Sequence, residues 1–304
     1  MIRRFCLTAL GALALLAACA PTPEPAPRVG QAAALRPLKI ASWNLEFLAE
    51  KDSVGCEPRT AADYQAMRHI ADGLDADVIA FQEAETPAAA ARVFDPARYT
   101  IVMEKRAGEA SGTCGGQHPN EPFIRQAVGF AIRKDIAFDR HPDVTSLMIG
   151  NPQLRSGIDV TIRPKGHAPI RLLGIHLKSG CFSGKDAKPC PTFLQQIASL
   201  EAWIDGAAKG STRFAVLGDW NRRMALADDQ VWTEIDDGDP ANADLTLADF
   251  GTPPGCDPRY DSFIDHIVLD RRAAADMVGF SETHYAPGEK HYSDHCPVAA
   301  TFDR

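Results

Sequence analysis

The chain has 304 residues, 45% of them apolar and 24% charged, with a formal net charge of −8. That is enough apolar content for one large buried core, and too little basic charge for a protein that coats a nucleic-acid duplex. Without residues 1–18, which carry Arg3 and Arg4, the balance falls to −10, so any contact with nucleic acid has to be local and helped by metal ions.

The first segment speaks to destination. "MIRRFCLTALGALALLAACA" opens with two arginines and continues as an apolar run short for a membrane span, the form of a secretory signal over residues 1–18. "LAAC" at residues 16–19 resembles the bacterial lipobox, with Cys19 as the lipidated first residue of the mature chain. A plain cleaved signal and a retained anchor are the other readings. The Pro- and Ala-rich stretch 19–37 reads as an extended tether before a domain over 38–304. The expected location is the bacterial cell envelope, with membrane attachment through the lipid alone, or secretion if no lipid is added. Nothing indicates a protein partner, and a monomer is expected.

The body alternates strands with helices, which predicts an α/β fold. "LKIASWNL" (38–45) is a strand, and 59–76 is a helix with Tyr64, Met67, Ile70, Ala71 and Leu74 on one face. "DVIAFQE" (77–83) is almost continuously apolar, as expected of a strand covered on both sides. Strands follow at 126–135 and 170–179, then a helix at 191–207 with Phe193, Ile197, Leu200 and Ile204 as its buried stripe. Strands at 213–221 and 262–270 and a terminal strand within "HYSDHCPVAATF" (291–302) complete the set. Residues 105–122 and 221–260 are loop-rich and suited to carry specificity.

Beyond Cys6 and Cys19, six cysteines remain: Cys56, Cys114, Cys181, Cys190, Cys256 and Cys296. An even number in an exported chain predicts disulfides, although six cysteines allow fifteen pairings. Cys181 and Cys190 bracket one short polar segment, "CFSGKDAKPC", and form the clearest pair. No C-x-x-C spacing supports zinc.

Several strands end in polar residues that an apolar core does not select: Asn44, Glu83, His176, Asp219 with Asn221, Asp265 with His266, and Asp294 with His295. Each alone has a bland explanation in turn chemistry or a structural histidine. Six strands with the same habit point to a shared rim of carboxylates, carboxamides and imidazoles. Hard oxygen donors suit Mg²⁺ or Mn²⁺, with Ca²⁺ also admissible, and imidazoles move protons or donate to phosphoryl oxygens. That combination suits phosphodiester hydrolysis. Neither G-x-S-x-G nor H-E-x-x-H occurs.

Taken in order, "ASWNL", "DVIAFQE", "GIHLKS", "LGDWN", "FIDHIVL" and "YSDHCPV" resemble the endonuclease/exonuclease/phosphatase superfamily, the deoxyribonuclease I-like fold, over residues 38–304. The resemblance implies a four-layer α/β sandwich, two mixed, mostly antiparallel sheets packed face to face with helices outside, and a divalent-metal phosphoesterase. Carried over by motif, Glu83 is the principal metal ligand, Asn44 lies beside the metal or phosphate, and Asp294 belongs to the metal and water shell. Asp219 and Asn221 orient or activate the attacking water. His176 contacts the scissile phosphate, and His295 is the catalytic histidine, polarised by Asp265. Whether His295 or Asp219 takes the water's proton stays open. The strand neighbours that the resemblance implies would pair Cys256 with Cys296, leaving Cys56 and Cys114 for the third bridge.

The motifs depart from the family in two places. Trp220 stands where Phe is common, and Gln126 takes the place of a glutamate that supports the phosphate-binding histidine, which would leave His176 harder to protonate. Lys178, Arg222 and Arg223 follow site strands and are candidates for phosphate contact. His266 alternates to the opposite strand face and reads as structural, and Trp43 and Trp220 read as core. A zinc set of His284, His291 and His295 is disfavoured by the oxygen-rich surroundings. The expected function is an exported metal-dependent phosphodiester hydrolase, a nuclease of endo or exo action with nucleic acid as substrate. A phospholipid or sphingomyelin phosphodiesterase or a phosphomonoesterase on the same fold is the alternative. A surface binding module on a decayed scaffold is the non-enzymatic one, and it is disfavoured because no site residue is missing.

Overall fold

In the computed structural model, which describes residues 36–303 except 107–109, 111, 117, 258 and 287, the strands form two mixed six-stranded sheets. The signal segment, Cys19 and the tether up to residue 35 lie outside the described residues. One sheet holds β1 (Leu38–Leu48), β2 (Val78–Ala84), β3 (Tyr99–Met103), β4 (Ala127–Arg133), β11 (Met277–Glu282) and β12 (Val298–Phe302), in the order β11-β12-β1-β2-β4-β3. The other holds β5 (Ala137–Arg140), β6 (Ile158–Arg163), β7 (Ile170–His176), β8 (Arg213–Asp219), β9 (Leu245–Leu247) and β10 (Asp265–Asp270), in the order β5-β6-β7-β8-β10-β9. Each sheet has one parallel pair at its centre, β1 with β2 and β7 with β8, and antiparallel pairs elsewhere.

Two-residue alternation builds the layers. Ile40, Val78, Ala80, Phe130, Val160, Leu172, Leu217, Ile267, Ala300 and Phe302 face the space between the sheets and fill it. Their neighbours Trp43, Phe81 and Ala131 point the other way, against α1 (Ala61–Leu74) and α2 (Pro87–Val93). On the far side Leu173, Phe214 and Val216 meet α3 (Cys190–Ala208) and α4 (Gln230–Ile235). The result is helix, sheet, sheet, helix. Each large apolar side chain buried this way contributes about 1.5–3 kcal/mol.

Helix limits follow local chemistry. Thr60 caps α1 by accepting from the Asp63 amide, while the Asp63 side chain accepts from the Thr60 amide. The predicted helix over 59–76 is shorter by that cap and by Asp75, which turns left-handed at the other end. Arg59 is a buried scaffold residue, donating to the carbonyls of Glu46 and Tyr292. The region 221–260 is less irregular than expected, because α4 and β9 lie within it. The last helix among the described residues, α5 (Arg271–Asp276), is capped by Asp270.

All six cysteines outside residues 1–35 are oxidised, as Cys56–Cys114, Cys181–Cys190 and Cys256–Cys296.

Candidate active site

At one end of the sandwich the inner-face stripes run on into polar residues. On β7, Ile170 and Leu172 lead to His176; on β8, Ala215 and Leu217 lead to Asp219; on β10, Leu269 and Ile267 lead to Asp265. Strand register sets both His176 and Asp265 opposite Asp219. The strands close up because of Gly218, whose φ is +146° and where any Cβ would lie 2.0 Å from the Ile175 carbonyl oxygen.

The first sheet reaches the same point by breaking alternation. Val78 and Ala80 face inward, so Glu83 would point outward with Phe81. Its backbone is left-handed instead (φ 62°), and the register with β4 shifts between Phe81 and Ala84. After Asn44, β1 has left-handed residues at Glu46 (φ 44°) and Phe47 (φ 49°), and the Phe47 amide donates to Glu83 Oε2 at 3.0 Å. Each such residue costs about 1–3 kcal/mol and persists only where its surroundings fix it. Asn221 is also left-handed (φ 52°), and its amide donates to Asp219 Oδ1 at 2.8 Å.

These residues converge. Asn44 Nδ2 donates to Asp219 Oδ2 at 3.1 Å and lies 3.5 Å from Glu83 Oε1. His176 Nε2 lies 3.3 Å from Asp219 Oδ2 and 3.8 Å from Glu83 Oε1. His295 Nδ1 meets Asp265 Oδ2 at 2.6 Å, and its Nε2 lies 3.9 Å from Asp219 Oδ2 and 3.6 Å from Asp294 Oδ1. The 293–295 turn is held from three sides. Ser293 Oγ donates to the Asn44 carbonyl at 2.7 Å and accepts from the His295 amide at 3.1 Å. Trp43 Nε1 and the Tyr285 hydroxyl, each at 3.2 Å, donate to the His295 carbonyl. Trp43 is therefore both core and support.

The two histidines are driven apart. Burial, and then the Arg155 guanidinium, push His176 well below the ordinary histidine range, so its imidazole is neutral. Burial acts the same way on His295 but loses to Asp265, Asp219 and Asp294, which together hold it well above that range. Burial, and then repulsion from Asp265, push the Asp219 carboxyl up to about 7. A cation among these carboxylates would draw it back down.

The donor set fits a hard divalent cation. Carboxylate oxygens of Asp219 and Asp265 and a His295 nitrogen lie within 4.8 Å of one another, with Glu83 and Asn44 adjoining. Asp265 Oδ1 is buried with no hydrogen-bond partner among the described residues, an orphaned acceptor that a cation or its water would satisfy. Cys256, Glu282 and Cys296 also cluster, but the two cysteines are bonded to each other.

The other expected residues divide between the cleft and the scaffold. Asp294 is exposed at the mouth. Arg222 is not available to phosphate: it is buried, pairs with Asp229 at 2.7 Å and donates to the carbonyls of Cys181 and Gly184, bracing that loop. Lys178 and Gln126 line the cleft. The hydrogen-bonding partner of the His176 ring is Arg155, at 2.8 Å and 2.5 Å from its nitrogens, rather than Gln126. Arg155 was missed because it precedes β6 in a loop with no motif. Glu104 sets that loop, accepting from the Ser156 amide and hydroxyl at 2.8 Å and 2.6 Å. His266 lies on the opposite strand face between Asp249 and the Arg222 carbonyl. Among the described residues His284, His291 and His295 form no zinc set: His284 pairs with Glu282 and His291 stacks on Tyr285. The site opens into a cleft of about 630 Å³.

The family model described as the Endonuclease/Exonuclease/phosphatase family matches residues 41–295. Among solved structures, truncated Caenorhabditis elegans TDP2 is similar with a TM-score of 0.55 at 15% identity, covering 88% of this chain and 97% of that one. The human Nocturnin catalytic domain gives 0.56 at 16%, covering 88% and 94%. The Neisseria 3′ phosphatase NExo, bound to a product DNA hairpin, gives 0.54 at 19%, covering 88% and 100%. At these identities the likeness is one of fold. Among curated proteins no sequence matches significantly. The family match spans most of the chain, which belongs to the Endonuclease/Exonuclease/phosphatase family.

Proposed function

We propose, on the premise of that family membership, that the protein is a divalent-cation-dependent phosphodiester hydrolase, a nuclease exported from the bacterial cytoplasm and held at the envelope by a lipid on Cys19. The observation that carries the catalytic part is the meeting of Glu83, Asp219 and Asp265 from two different sheets around two imidazoles, with Asp265 Oδ1 buried and unpaired. Magnesium is the ion this oxygen-rich set suits best, and when bound it supplies charge stabilisation to a phosphoryl oxygen. Glu83 and Asn44 would hold it, with Asp294 beside them at the mouth.

The chain's own residues divide the remaining work. Asp219 and Asn221 orient the attacking water. The cationic state of His295 supports Asp219 as the proton acceptor and His295 as the donor to the leaving oxygen. Neutral His176 and Arg155 face the phosphoryl oxygens, the guanidinium supplying positive charge. As water attacks phosphorus and the ester bond to the leaving oxygen breaks, one proton passes to Asp219 and one leaves His295. The DNA hairpin on the Neisseria 3′ phosphatase favours nucleic acid as the substrate class.

The test is a panel of plasmid DNA, RNA, sphingomyelin and inositol phosphates, each in Mg²⁺ and in EDTA. Cleavage of nucleic acid in Mg²⁺ that EDTA abolishes is the expected result. Hydrolysis confined to lipid or inositol phosphate overturns the nuclease reading, and activity indifferent to EDTA overturns the cation.

A further inference from the structure

One wall of the cleft carries chemistry that phosphodiester hydrolysis does not need. The Arg223 guanidinium lies 5.5 Å from the ring centre of Phe182 and 5.2 Å from that of Tyr260. Both rings line the cleft and are open to solvent, Phe182 at 36% and Tyr260 at 48% exposure. Arg223 has no carboxylate partner among the described residues. Its neighbours are engaged: Arg222 with Asp229, and Arg259 with Asp257. Exposed rings flanking an uncommitted cation at the mouth of an active site mark a contact surface.

The arrangement is also built in place. The Arg223 amide donates to the Phe182 carbonyl at 2.9 Å. Phe182 follows Cys181 of the Cys181–Cys190 bridge, and Tyr260 lies four residues past Cys256 of the Cys256–Cys296 bridge. Ordering these groups before a ligand arrives lowers the cost of binding.

We infer that Phe182, Arg223 and Tyr260 form a stacking clamp for an unpaired nucleobase beside the scissile phosphate, so that the substrate is a single-stranded or frayed nucleic acid. The inference rests on the phosphodiesterase reading above. Aromatic faces and an arginine plane take any base by stacking, without reading its edges. Bases inside a duplex are already stacked, and a chain of net charge −8 lacks the spread of basic contacts that holds a duplex. A choline headgroup is disfavoured, because the Arg223 cation beside both rings repels a quaternary ammonium but not a neutral base.

The test compares a fluorescein-labelled single-stranded oligonucleotide with an abasic chain of the same length. Affinity is read by anisotropy in EDTA, and kcat/KM is read in Mg²⁺. The full chain should prefer the base-bearing strand at least tenfold. Phe182→Ala and Tyr260→Ala should each shrink that preference about tenfold, as expected for one lost base–aromatic stack. Tyr260→Phe should restore it, and Phe250→Ala, at an exposed ring outside the cleft lining, should leave it intact. No preference for bases in the full chain overturns the clamp, as do equal losses on both chains in the alanine variants or Tyr260-dependent binding to sphingomyelin vesicles in place of the oligonucleotide. A Tyr260-dependent preference without turnover keeps the clamp and sinks the catalytic reading. Turnover of both chains alike does the reverse.

Discussion

The two sheets mirror each other in strand number and in their central parallel pair, yet they deliver side chains to the site by different routes. The β7-β8-β10 sheet simply continues its core stripe, so that Leu172, Leu217 and Ile267 give way to His176, Asp219 and Asp265 with no break in alternation. The β1-β2 sheet interrupts alternation with left-handed residues at Glu46, Phe47 and Glu83. Regular strands fix groups that must face one another across a register, whereas a bulge turns one carboxylate out of line with its neighbours.

The bulged half is broken most directly at Glu83. Glu83→Gln should keep an acceptor for the Phe47 amide, and hence the bulge, while lowering kcat in Mg²⁺ by about 10³-fold, as several kcal/mol of cation-borne stabilisation are lost. Unchanged turnover in the correctly folded variant would remove Glu83 from the site.

The next unit is a pair that spans the two sheets, Asp265 from β10 and His295 from the turn before β12. His295→Ala and Asp265→Ala should each cost about 10²–10⁴-fold in kcat, and the double variant should be little worse than either one. Losses that multiply would mean that Asp265 does not act through His295.

The smallest effect concerns the far face of β10. His266 is fully buried; burial opposes its charge, but Asp249 and the Arg222 carbonyl raise its pKa above the ordinary value. A raised folded-state pKa contributes stability that is whole below the unfolded value, about 6.5, and is lost as pH rises through the folded one. Asp249→Asn should therefore cost about 1.5–3 kcal/mol near pH 6, and the gap should narrow toward alkaline pH in urea unfolding. A gap that is constant with pH would show that His266 is neutral throughout.

Much of this was legible in the sequence, for physical reasons that also explain the omissions. Central strands covered on both faces read as apolar runs, and β2 and β8 announce themselves in that way. The missed strands β3, β5, β9 and β11 end their sheets, and such short or half-exposed segments carry little pattern. β6 is interior and does alternate, with Asp159 and Thr161 between apolar residues, so it was legible and was overlooked; Asp159 is satisfied by Arg171 and Trp203. Site residues at strand ends were visible as intruders in apolar runs. Arg155 and Ser293 were not, since a lone arginine or serine in a loop is unremarkable until the fold sets it against an imidazole or a backbone carbonyl.

Among the described residues five of the six bridged cysteines lie in loops and Cys190 opens α3, and none of the three disulfides joins two strands within a sheet. A loop ordered by packing alone has to turn its aromatic residues inward to anchor itself. A cross-linked loop is relieved of that duty, because the covalent closure restricts the chain in its place. Phe182 and Tyr260, and Phe123 nine residues past Cys114, are thereby free to face the cleft rather than the core. Oxidation thus widens the choice of side chains that the mouth can present, and lets that surface diverge while the sandwich beneath it stays the same.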